Sequence, residues 1–403
     1  MNIIQINEYC GTGSTGRICL ELAKMMEKKG HNCRIIYGRK KATKESGEYG
    51  VRMTSSLGVY IHGVETRILD NHAFASTFET LRLLIFLKIY KPDLIHLHNL
   101  HGYYINVAVL FRYIITNNIP VIWTLHDCWS MTGHCSHFYH IGCNKWIYGC
   151  HNCQQKKEYP ASLVFDKSKK NWEKKKRIFT SLDYAIIVTP SIWLSKLVNK
   201  SYLNRYQIKV VPNGIDLNVF YPRDDRMFSK KFGYKKIVLG VSNVWTENKG
   251  IYDFINLVDL LDASKFQIVL VGEVKKDFEI PSNIYIIDRT DSIDELAKIY
   301  SSADIYVDLS KIEVLGTTII EAMACGCPVV TYGAGGNSES IGEHGGRIIE
   351  KQNLSSVVDA IQQMAFLDKN VIRGACVQQA KIFSKEKMLE NYYLLYKKLV
   401  SYE

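Results

Sequence analysis

The segment from residue 313 to residue 330, EVLGTTIIEAMACGCPVV, is the stretch that most constrains the fold. Residues 318–324 predict a helix, because a hydroxyl residue is followed by good helix formers and Gly326 ends the run. Residues 328–331 then predict a buried strand. Two carboxylates stand eight positions apart, with Glu313 on the loop before the helix and Glu321 about one turn inside it.

The loop between the two carboxylates has the features of an anion site. Gly316 leaves the backbone accessible, and the free N–H groups at the start of a helix attract negative charge. Thr317 and Thr318 complete this turn. A cradle for phosphate, flanked by acceptors for sugar hydroxyls, is what a nucleotide-sugar requires. The alternative is a capped helix whose glutamates face solvent.

Short buried strands alternate with helices along the whole chain. Strands are predicted at 3–7, 33–37, 92–98, 120–126, 183–191, 236–243, 266–272, 284–288 and 304–309. This alternation predicts an α/β fold with parallel sheets and right-handed crossovers. The length of 403 residues suits two domains of ordinary size. Residues 217–235 are charged and lack periodicity, which predicts a linker.

Residues 313–330 resemble the E-x7-E signature of family 4 glycosyltransferases, and KVVPNGID at 209–216 resembles the crossing between that family's two domains. The resemblance implies a GT-B fold, in which two Rossmann-like domains with parallel sheets face each other across a cleft and the last helix crosses back to the first domain. We therefore expect an acceptor-side domain over 1–212, joined by the helix 385–403, and a nucleotide-sugar-binding domain over 213–384.

The resemblance also assigns roles to individual residues. It implies that Glu313 contacts the donor sugar, that Glu321 contacts the ribose and that His126 faces the donor sugar and the acceptor. Lys249 matches the lysine that clamps the donor diphosphate. The arginine of that clamp is replaced by Asn243, so one positive charge fewer would contact the diphosphate. We predict that His126, Glu313 and Lys249 are catalytic.

Further donor-binding positions follow from the same resemblance. The glycine loop after the first strand is expected to close over the diphosphate, two later positions flank the nucleotide base, and the turn before the signature helix supplies N–H groups. These positions are Gly13, Gly16, Gly272, Arg289, Gly316, Thr317 and Thr318. An Asp-x-Asp motif does not occur, so we expect catalysis without a metal ion and without any cofactor beyond the nucleotide-sugar substrate.

Histidines follow two strands of the first half. His96, His98 and His101 surround the end of one strand, and His126 is followed by Asp127 at the end of the next. Ligands of open α/β sheets bind at such carboxyl ends. The first three histidines are either cleft lining or a packed polar network, with metal binding less favoured. Asp127 is expected either to orient His126 or to contact the acceptor.

A cysteine-rich insert at 128–165 is the most unusual part of the sequence. Cys135, Cys143, Cys150 and Cys153 fall within it, and the last two have the spacing of a metal knuckle. A four-thiolate structural zinc site would hold a loop that has little apolar material of its own. Buried free thiols and a redox disulfide are the alternatives.

Positive charge is concentrated in the first half of the chain. Residues 1–222 carry 29 Lys and Arg against 15 Asp and Glu, whereas the remainder has a net charge of −3.

The helix predicted at 76–90 contains the apolar run 81–90, for which we favour core packing over a membrane-facing patch. The basic run at 167–177 suits an anionic membrane surface or a lipid diphosphate better than nucleic acid, which we do not expect as a partner.

These observations predict a retaining, metal-independent hexosyltransferase of the capsule, exopolysaccharide or colanic-acid type. We expect it to move a sugar from a UDP-sugar or GDP-sugar donor to a hydroxyl of a growing, lipid-linked bacterial surface polysaccharide. The alternatives are a nucleotide-sugar epimerase of the same fold and a non-catalytic lipid-phosphate or membrane binder. The N-terminus does not match a signal peptide, and eleven cysteines suit a reducing compartment. We expect the cytoplasm, with the inner face of the plasma membrane as the alternative.

Overall fold

The computed structural model describes residues 1–224, 227–342 and 345–401. The chain divides into two compact units. The first comprises Met1–Val211 together with the C-terminal residues from Leu389 onward, and the second comprises Pro212–Met388. None of the helices described in these ranges combines the length and apolar composition that crossing a bilayer requires.

The first unit is built on a seven-stranded parallel sheet. Its strands are β1 (Asn2–Asn7), β2 (Asn32–Tyr37), β3 (Gly50–Arg52), β4 (Leu94–Leu97), β5 (Val121–Thr124), β6 (Ala185–Thr189) and β7 (Gln207–Val210). They lie in the order β3-β2-β1-β4-β5-β6-β7. The strand order reverses between β1 and β4, and ligands of open α/β sheets bind outside the carboxyl ends at such a reversal.

Helices cover this sheet and form the crossovers between its strands. They are α1 (Gly13–Lys28), α2 (Lys44–Gly47), α3 (Ser56–Leu69), α4 (Thr77–Tyr90), α5 (Val107–Thr116), α6 (Lys145–Tyr148), α7 (Ser168–Phe179) and α8 (Ile192–Lys200). The cysteine-rich insert lies between β5 and α7 and contains only short helical turns. It is therefore fixed by side-chain contacts rather than by regular backbone structure.

The second unit has a six-stranded parallel sheet in the order β10-β9-β8-β11-β12-β13. Its strands are β8 (Lys236–Trp245), β9 (Phe266–Val274), β10 (Ile284–Ile287), β11 (Ile305–Asp308), β12 (Val329–Tyr332) and β13 (Gly346–Ile349). Its helices are α9 (Met227–Phe232), α10 (Ile251–Leu260), α11 (Ile293–Ser302), α12 (Thr317–Ala324), α13 (Asn337–Ile341), α14 (Leu354–Met364) and α15 (Lys369–Ala380).

Both faces of the second sheet are buried, as expected where helices flank parallel strands. Successive strand residues alternate between two hydrophobic clusters: Leu239 and Val269 belong to one, and Val238 and Ile268 belong to the other. The signature helix α12 packs its Ile319 in the first cluster. The position of this helix is therefore fixed by the core of the second unit.

The C-terminal helix α16 (Lys385–Val400) is tied to the first sheet by a chain of buried side chains. The Nδ1 atom of His96 on β4 lies 2.7 Å from the Tyr396 hydroxyl, and its Nε2 atom lies 2.8 Å from the Thr124 hydroxyl on β5. The same Thr124 hydroxyl lies 2.9 Å from the Tyr392 hydroxyl. Because each of these buried polar groups has a partner, the network holds α16 in one position.

The predicted fold class is confirmed by two parallel α/β sheets and by the return of the last helix to the first unit. The prediction of a linker over 217–235 is wrong for Met227–Phe232, which forms α9 and buries Phe228 in the core. Six residues are too few to show helical periodicity. Core packing of the run 81–90 is correct for Leu83 and Leu87 but wrong for Leu81 and Ile85, which are exposed.

Replacing Tyr396 by Phe should lower the free energy of unfolding by about 1–3 kcal/mol, because the buried His96 ring loses a hydrogen-bond partner. Urea unfolding measures this change. Tyr393→Phe is the matched control, since Tyr393 is a half-buried tyrosine of the same helix. Equal stability of the two variants would contradict the proposed role of the network.

Candidate functional site

His126 lies at the carboxyl end of β5 and is held by a neighbouring histidine. The Nδ1 atom of His98 lies 3.1 Å from the Nε2 atom of His126, and the two rings stack at 5.4 Å. The other side of His98 lies 3.2 Å from the Gln5 amide oxygen. Burial lowers the pKa of His126 to about 4, with the nearby Asp127 carboxylate opposing the shift. His126 is therefore neutral at pH 7 and fixed in orientation.

Asp127 is paired with His101 rather than with His126. Its Oδ2 atom lies 2.6 Å from His101 Nε2, and its Oδ1 atom accepts a hydrogen bond from the Trp129 N–H at 2.8 Å. Burial opposes ionisation of Asp127, but His101 and these hydrogen bonds lower its pKa to about 2. Burial likewise opposes the charge on His101, whose pKa is nevertheless raised by Asp127. Asp127 and His101 thus each favour the charged form of the other. The expectation that Asp127 orients His126 finds no hydrogen bond to support it.

The glycine loop after β1 leads directly into α1. Gly13, the first residue of the helix, has φ +67°, and a Cβ at Gly16 would lie 3.2 Å from the Gly11 nitrogen. The side chain of Thr12, at the N-cap, makes no capping hydrogen bond to the first turn. The first-turn N–H groups are thus not covered by a cap, which suits an anion. Donor contact by Gly13 and Gly16 stays a prediction.

In the second unit, Lys249 and Glu313 form an ion pair. Lys249 follows β8 on a short helical turn, and Glu313 follows β11, the neighbouring strand. The sequence separates these two predicted catalytic residues by 64 positions, and the structure brings them together. Desolvation lowers the pKa of Lys249, while Asp308 opposes the shift.

Two glycines after β12 fix the backbone of Glu313. The Glu313 carbonyl accepts a hydrogen bond from the Gly336 N–H at 2.8 Å. A Cβ at Gly335, where φ is +63°, would lie 1.8 Å from the same carbonyl oxygen. Only glycine permits this close approach. The backbone of Glu313 is therefore fixed by one hydrogen bond and by close packing against Gly335, and this fixes the start of its side chain.

The signature helix α12 begins at Thr317, directly after Gly316 as N-cap, and has no side-chain cap. The Thr318 hydroxyl is hydrogen-bonded to Tyr306, and Glu321 accepts a hydrogen bond from the Tyr300 hydroxyl at 3.2 Å. The first-turn N–H groups thus remain available to an anionic ligand. The helix predicted over 318–324 is confirmed, and it starts one residue earlier, with Gly316 at the capping position.

The remaining predicted donor positions lie at the same edge of the second sheet. Asn243 is exposed at an irregularity near the end of β8, and Arg289 is exposed just after β10. Gly272, near the end of β9, has φ +123°, and a Cβ there would lie 1.6 Å from the Ser242 carbonyl oxygen. The structure thus gathers these residues with Lys249 and Glu313 along neighbouring carboxyl ends.

The four insert cysteines line one small cavity of about 20 Å³, together with His134 and His151. All four are free thiols; Cys135 and Cys153 are hydrogen-bonded to each other, and Cys150 accepts from the Gly133 N–H at 3.2 Å. Within the described ranges, no group of three or more His, Cys, Asp or Glu side chains is placed to hold a metal ion. This arrangement of the thiols gives no direct support for zinc, and zinc binding by Cys135, Cys143, Cys150 and Cys153 stays a prediction.

Family models match both units. A model described as Glycosyltransferase Family 4 matches residues 15–219, and one described as Glycosyl transferases group 1 matches residues 235–365. The chain belongs to glycosyltransferase family 4. The resemblance read from residues 313–330 is therefore confirmed.

Individual relatives of this family 4 glycosyltransferase span the whole chain. A putative colanic acid biosynthesis glycosyl transferase of Escherichia coli is 23% identical, over 99% of this chain and 100% of its own. Sucrose-phosphate synthase from Thermosynechococcus elongatus has TM-score 0.72 at 17% identity, over 100% of both chains. Anabaena HepE, solved with UDP-glucose, has TM-score 0.66 at 14% identity, over 99% of this chain and 100% of its own. The solved structures establish the shared fold.

Several polar residues near the first-unit strand ends were not assigned a role from the sequence. Tyr159 places its hydroxyl 3.1 Å from His101, and Arg39 forms an ion pair with Glu8. The buried ammonium of Lys175 donates to the Trp129 carbonyl at 2.9 Å and lies 3.4 Å from the centre of that ring. These contacts join residues far apart in sequence, so no local spacing could have indicated them.

Stability should fall as the pH is lowered from about 6.5 to 4, because His126 stays neutral in the folded chain while its unfolded form takes up a proton. One such proton corresponds to about 1.4 kcal/mol per pH unit. His126→Asn should therefore reduce the slope of unfolding free energy against pH by about this amount between pH 6 and 5. His151→Asn, at an exposed histidine, is the control. An unchanged slope in His126→Asn would refute the assignment.

If zinc binds the insert, the purified chain should contain about one zinc ion, measured by elemental analysis. Cys150→Ser and Cys153→Ser should lose it and lower the melting temperature. Cys128→Ser, at a buried cysteine that does not line the cavity, should retain it. Metal-free protein with four reactive thiols would favour the free-thiol alternative, and a mass lower by two hydrogens would favour a disulfide.

Proposed function

We propose that this family 4 glycosyltransferase transfers a hexose, with retention at the anomeric carbon, from a nucleotide-sugar to a hydroxyl of a growing, lipid-linked surface polysaccharide. The observation that carries the proposal is the Lys249–Glu313 ion pair beside the uncapped start of α12. A fixed cation, a row of backbone N–H groups and a fixed carboxylate together match the diphosphate and hydroxyls of such a donor.

The leaving diphosphate is the group that most needs stabilisation, because negative charge develops on it as the bond to the sugar breaks. Lys249 and the first-turn N–H groups of α12 are the proposed partners of that charge. Asn243 is neutral where the family carries an arginine, so a larger share falls on Lys249. This arrangement uses no metal ion, and a zinc ion in the cysteine insert would be structural.

The two carboxylates are proposed to bind hydroxyls. Glu313 would accept hydrogen bonds from the sugar, and its fixed backbone would hold the anomeric carbon in position. Glu321, already an acceptor for Tyr300, would accept from the ribose. Gly272 and Arg289 would flank the base. These are the roles that the family resemblance implies, and the position of the residues near the carboxyl ends of the strands supports them.

The first unit is proposed to supply the acceptor contacts. His126 is neutral and held by His98, so it can donate or accept a hydrogen bond without adding charge. The Asp127–His101 pair presents a second polar group at the neighbouring strand end. In the transfer step, the acceptor oxygen bonds to the anomeric carbon as the bond to diphosphate breaks. The acceptor proton leaves with the nucleoside diphosphate.

The choice of donor and acceptor is supported by named relatives. HepE has been solved with UDP and with UDP-glucose, so UDP-sugars are the first donors to test, followed by GDP-sugars. A relative named for colanic acid biosynthesis supports a polysaccharide acceptor. A thermal-shift screen identifies the donor, because a ligand that binds only the folded chain raises its melting temperature by several degrees.

With that donor, Lys249→Met and Glu313→Gln should each lower the rate of sugar transfer by about 10²–10³, since each removes a preorganised charged group. Lys236→Met is the matched control, because Lys236 pairs with Asp304 at the opposite edge of the same sheet. Circular dichroism checks the folding of all three variants. A Lys249→Met enzyme within a few-fold of wild type would contradict the proposed clamp.

Product analysis separates the rival functions. A transferase forms product only when an acceptor glycan is present, whereas an epimerase changes the sugar-nucleotide without one. A non-catalytic binder would form neither product. Nuclear magnetic resonance of the anomeric proton in the product then decides between retention and inversion.

A further inference from the structure

Helix α3 has its apolar side facing outward. Its buried residues include the polar His62 and Thr66, whereas its large apolar side chains recur at helical spacing on the exposed side. The exposed ones are Leu57, Tyr60, Ile61 and Ile68. A surface helix of a globular protein normally buries its apolar stripe. The orientation of α3 is therefore the reverse of the usual one.

Hydrogen bonds hold α3 in this orientation. His62 Nδ1 lies 2.7 Å from the Ser76 hydroxyl, and His62 Nε2 accepts from the Ala73 N–H at 3.2 Å. The Thr66 hydroxyl donates to the His62 carbonyl at 2.9 Å. The Thr66 bond lies within the helix, but the two His62 bonds join α3 to residues outside it. Rotating the helix to bury its apolar stripe would therefore leave the His62 ring without these partners. The outward apolar side is thus built into the fold.

Helix α4 lies beside α3 and is apolar on two sides, because it buries Leu83 and Leu87 in the core and exposes a second set of large apolar side chains. It buries Thr80, whose hydroxyl donates to the Ser76 carbonyl at 2.8 Å and accepts from the Asn106 N–H at 2.8 Å. Its exposed residues include Phe78 (70%), Leu81 (49%), Ile85 (62%) and Ile89 (77%). The two helices are neighbours at their amino ends, where the Glu79 carboxylate lies against Gly58.

A third segment extends the same surface. Leu163, Val164 and Phe165 are exposed, and this segment runs alongside the end of α3. The Leu163 N–H donates to the Arg67 carbonyl at 2.7 Å, and the Phe165 N–H donates to the Ile68 carbonyl at 3.3 Å. We name the exposed apolar residues of α3, α4 and this segment the outer apolar face. Its residues are Leu57, Tyr60, Ile61, Ile68, Phe78, Leu81, Ile85, Ile89, Leu163, Val164 and Phe165.

The exposed charges on α3 and α4 are all positive. They are Arg67, Arg82 and Lys88, whereas the glutamates of these helices, Glu65 and Glu79, are half-buried. Beyond the third segment, Lys169 and Lys170 are exposed at the start of α7. Long basic side chains beside exposed apolar ones are typical of a surface that lies in the headgroup region of an anionic bilayer.

We propose that the outer apolar face docks this glycosyltransferase on an anionic membrane, with its apolar side chains in the headgroup–acyl boundary and its basic side chains among lipid phosphates. A second copy of the chain suits the face less well, because a two-fold contact would bring like charges of Arg82 and Lys88 towards each other. Docking adds a lipid-binding surface to the proposed transfer activity and does not depend on it. The two are therefore tested separately.

Vesicle flotation of the full-length chain tests the proposal without donor or acceptor. We expect binding to vesicles of phosphatidylethanolamine and phosphatidylglycerol and much weaker binding to phosphatidylcholine alone. Leu81→Ser with Ile85→Ser should weaken binding at least about tenfold, because two inserting side chains are lost. Ile192→Ser with Leu394→Ser, two exposed apolar residues on other elements, is the matched control and should bind as wild type.

The charged part is tested by Arg82→Gln with Lys88→Gln, which should weaken binding to the anionic vesicles and reduce its salt dependence. Near-ultraviolet circular dichroism should show all variants folded, since every substituted side chain is exposed. Undiminished flotation of the Leu81→Ser, Ile85→Ser variant would overturn the proposal. The proposal would also be overturned if the wild-type chain did not bind vesicles but formed dimers that this variant abolishes. A second copy of the chain would then cover the outer apolar face.

Discussion

Parallel pairing of strands is the constraint on which the arrangement of both units depends. Two parallel strands cannot be joined by a tight turn, so each connection crosses the sheet and every strand ends at the same edge. In the second unit this places Lys249 and Glu313 on neighbouring strand ends. In the first unit it does the same for His98 and His126. In each sheet, polar residues that are far apart in the chain thus lie together at the carboxyl ends of the strands, and no local sequence pattern indicates this.

Burial and ion pairing together decide which protonation state each of these polar groups favours. His96, His98 and His126 share a low-dielectric setting, and burial lowers the pKa of each of them. His101 is buried and Asp127 is half-buried, yet each stabilises the charged form of the other. The first unit therefore places neutral hydrogen-bonding groups and one carboxylate–imidazole pair at adjacent strand ends. Histidines of the same residue type thus differ in pKa because His101 lies next to a carboxylate, whereas His98 lies next to another histidine.

The sequence was most informative where structure and chemistry lie in one contiguous stretch. Residues 313–330 indicated the order of loop, helix and strand, because all the relevant side chains are local. The pairing of Asp127 with His101 could not be read in this way, since it depends on how two strands are placed side by side. The outward apolar side of α3 was also beyond pattern reading. Periodicity shows that a helix has an apolar stripe, but not which side faces the core.

Gly335 shows how a residue with no side chain can fix the position of a glutamate that is distant in sequence but adjacent in space. Its backbone passes so close to the Glu313 carbonyl that any Cβ would have to displace that carbonyl. The tolerance of the chain to substitution is therefore not confined to residues that bear functional groups. A map of mutational sensitivity would have a maximum at Gly335, and another at Gly272 for the same steric reason, although neither residue offers an atom of its own side chain to a substrate.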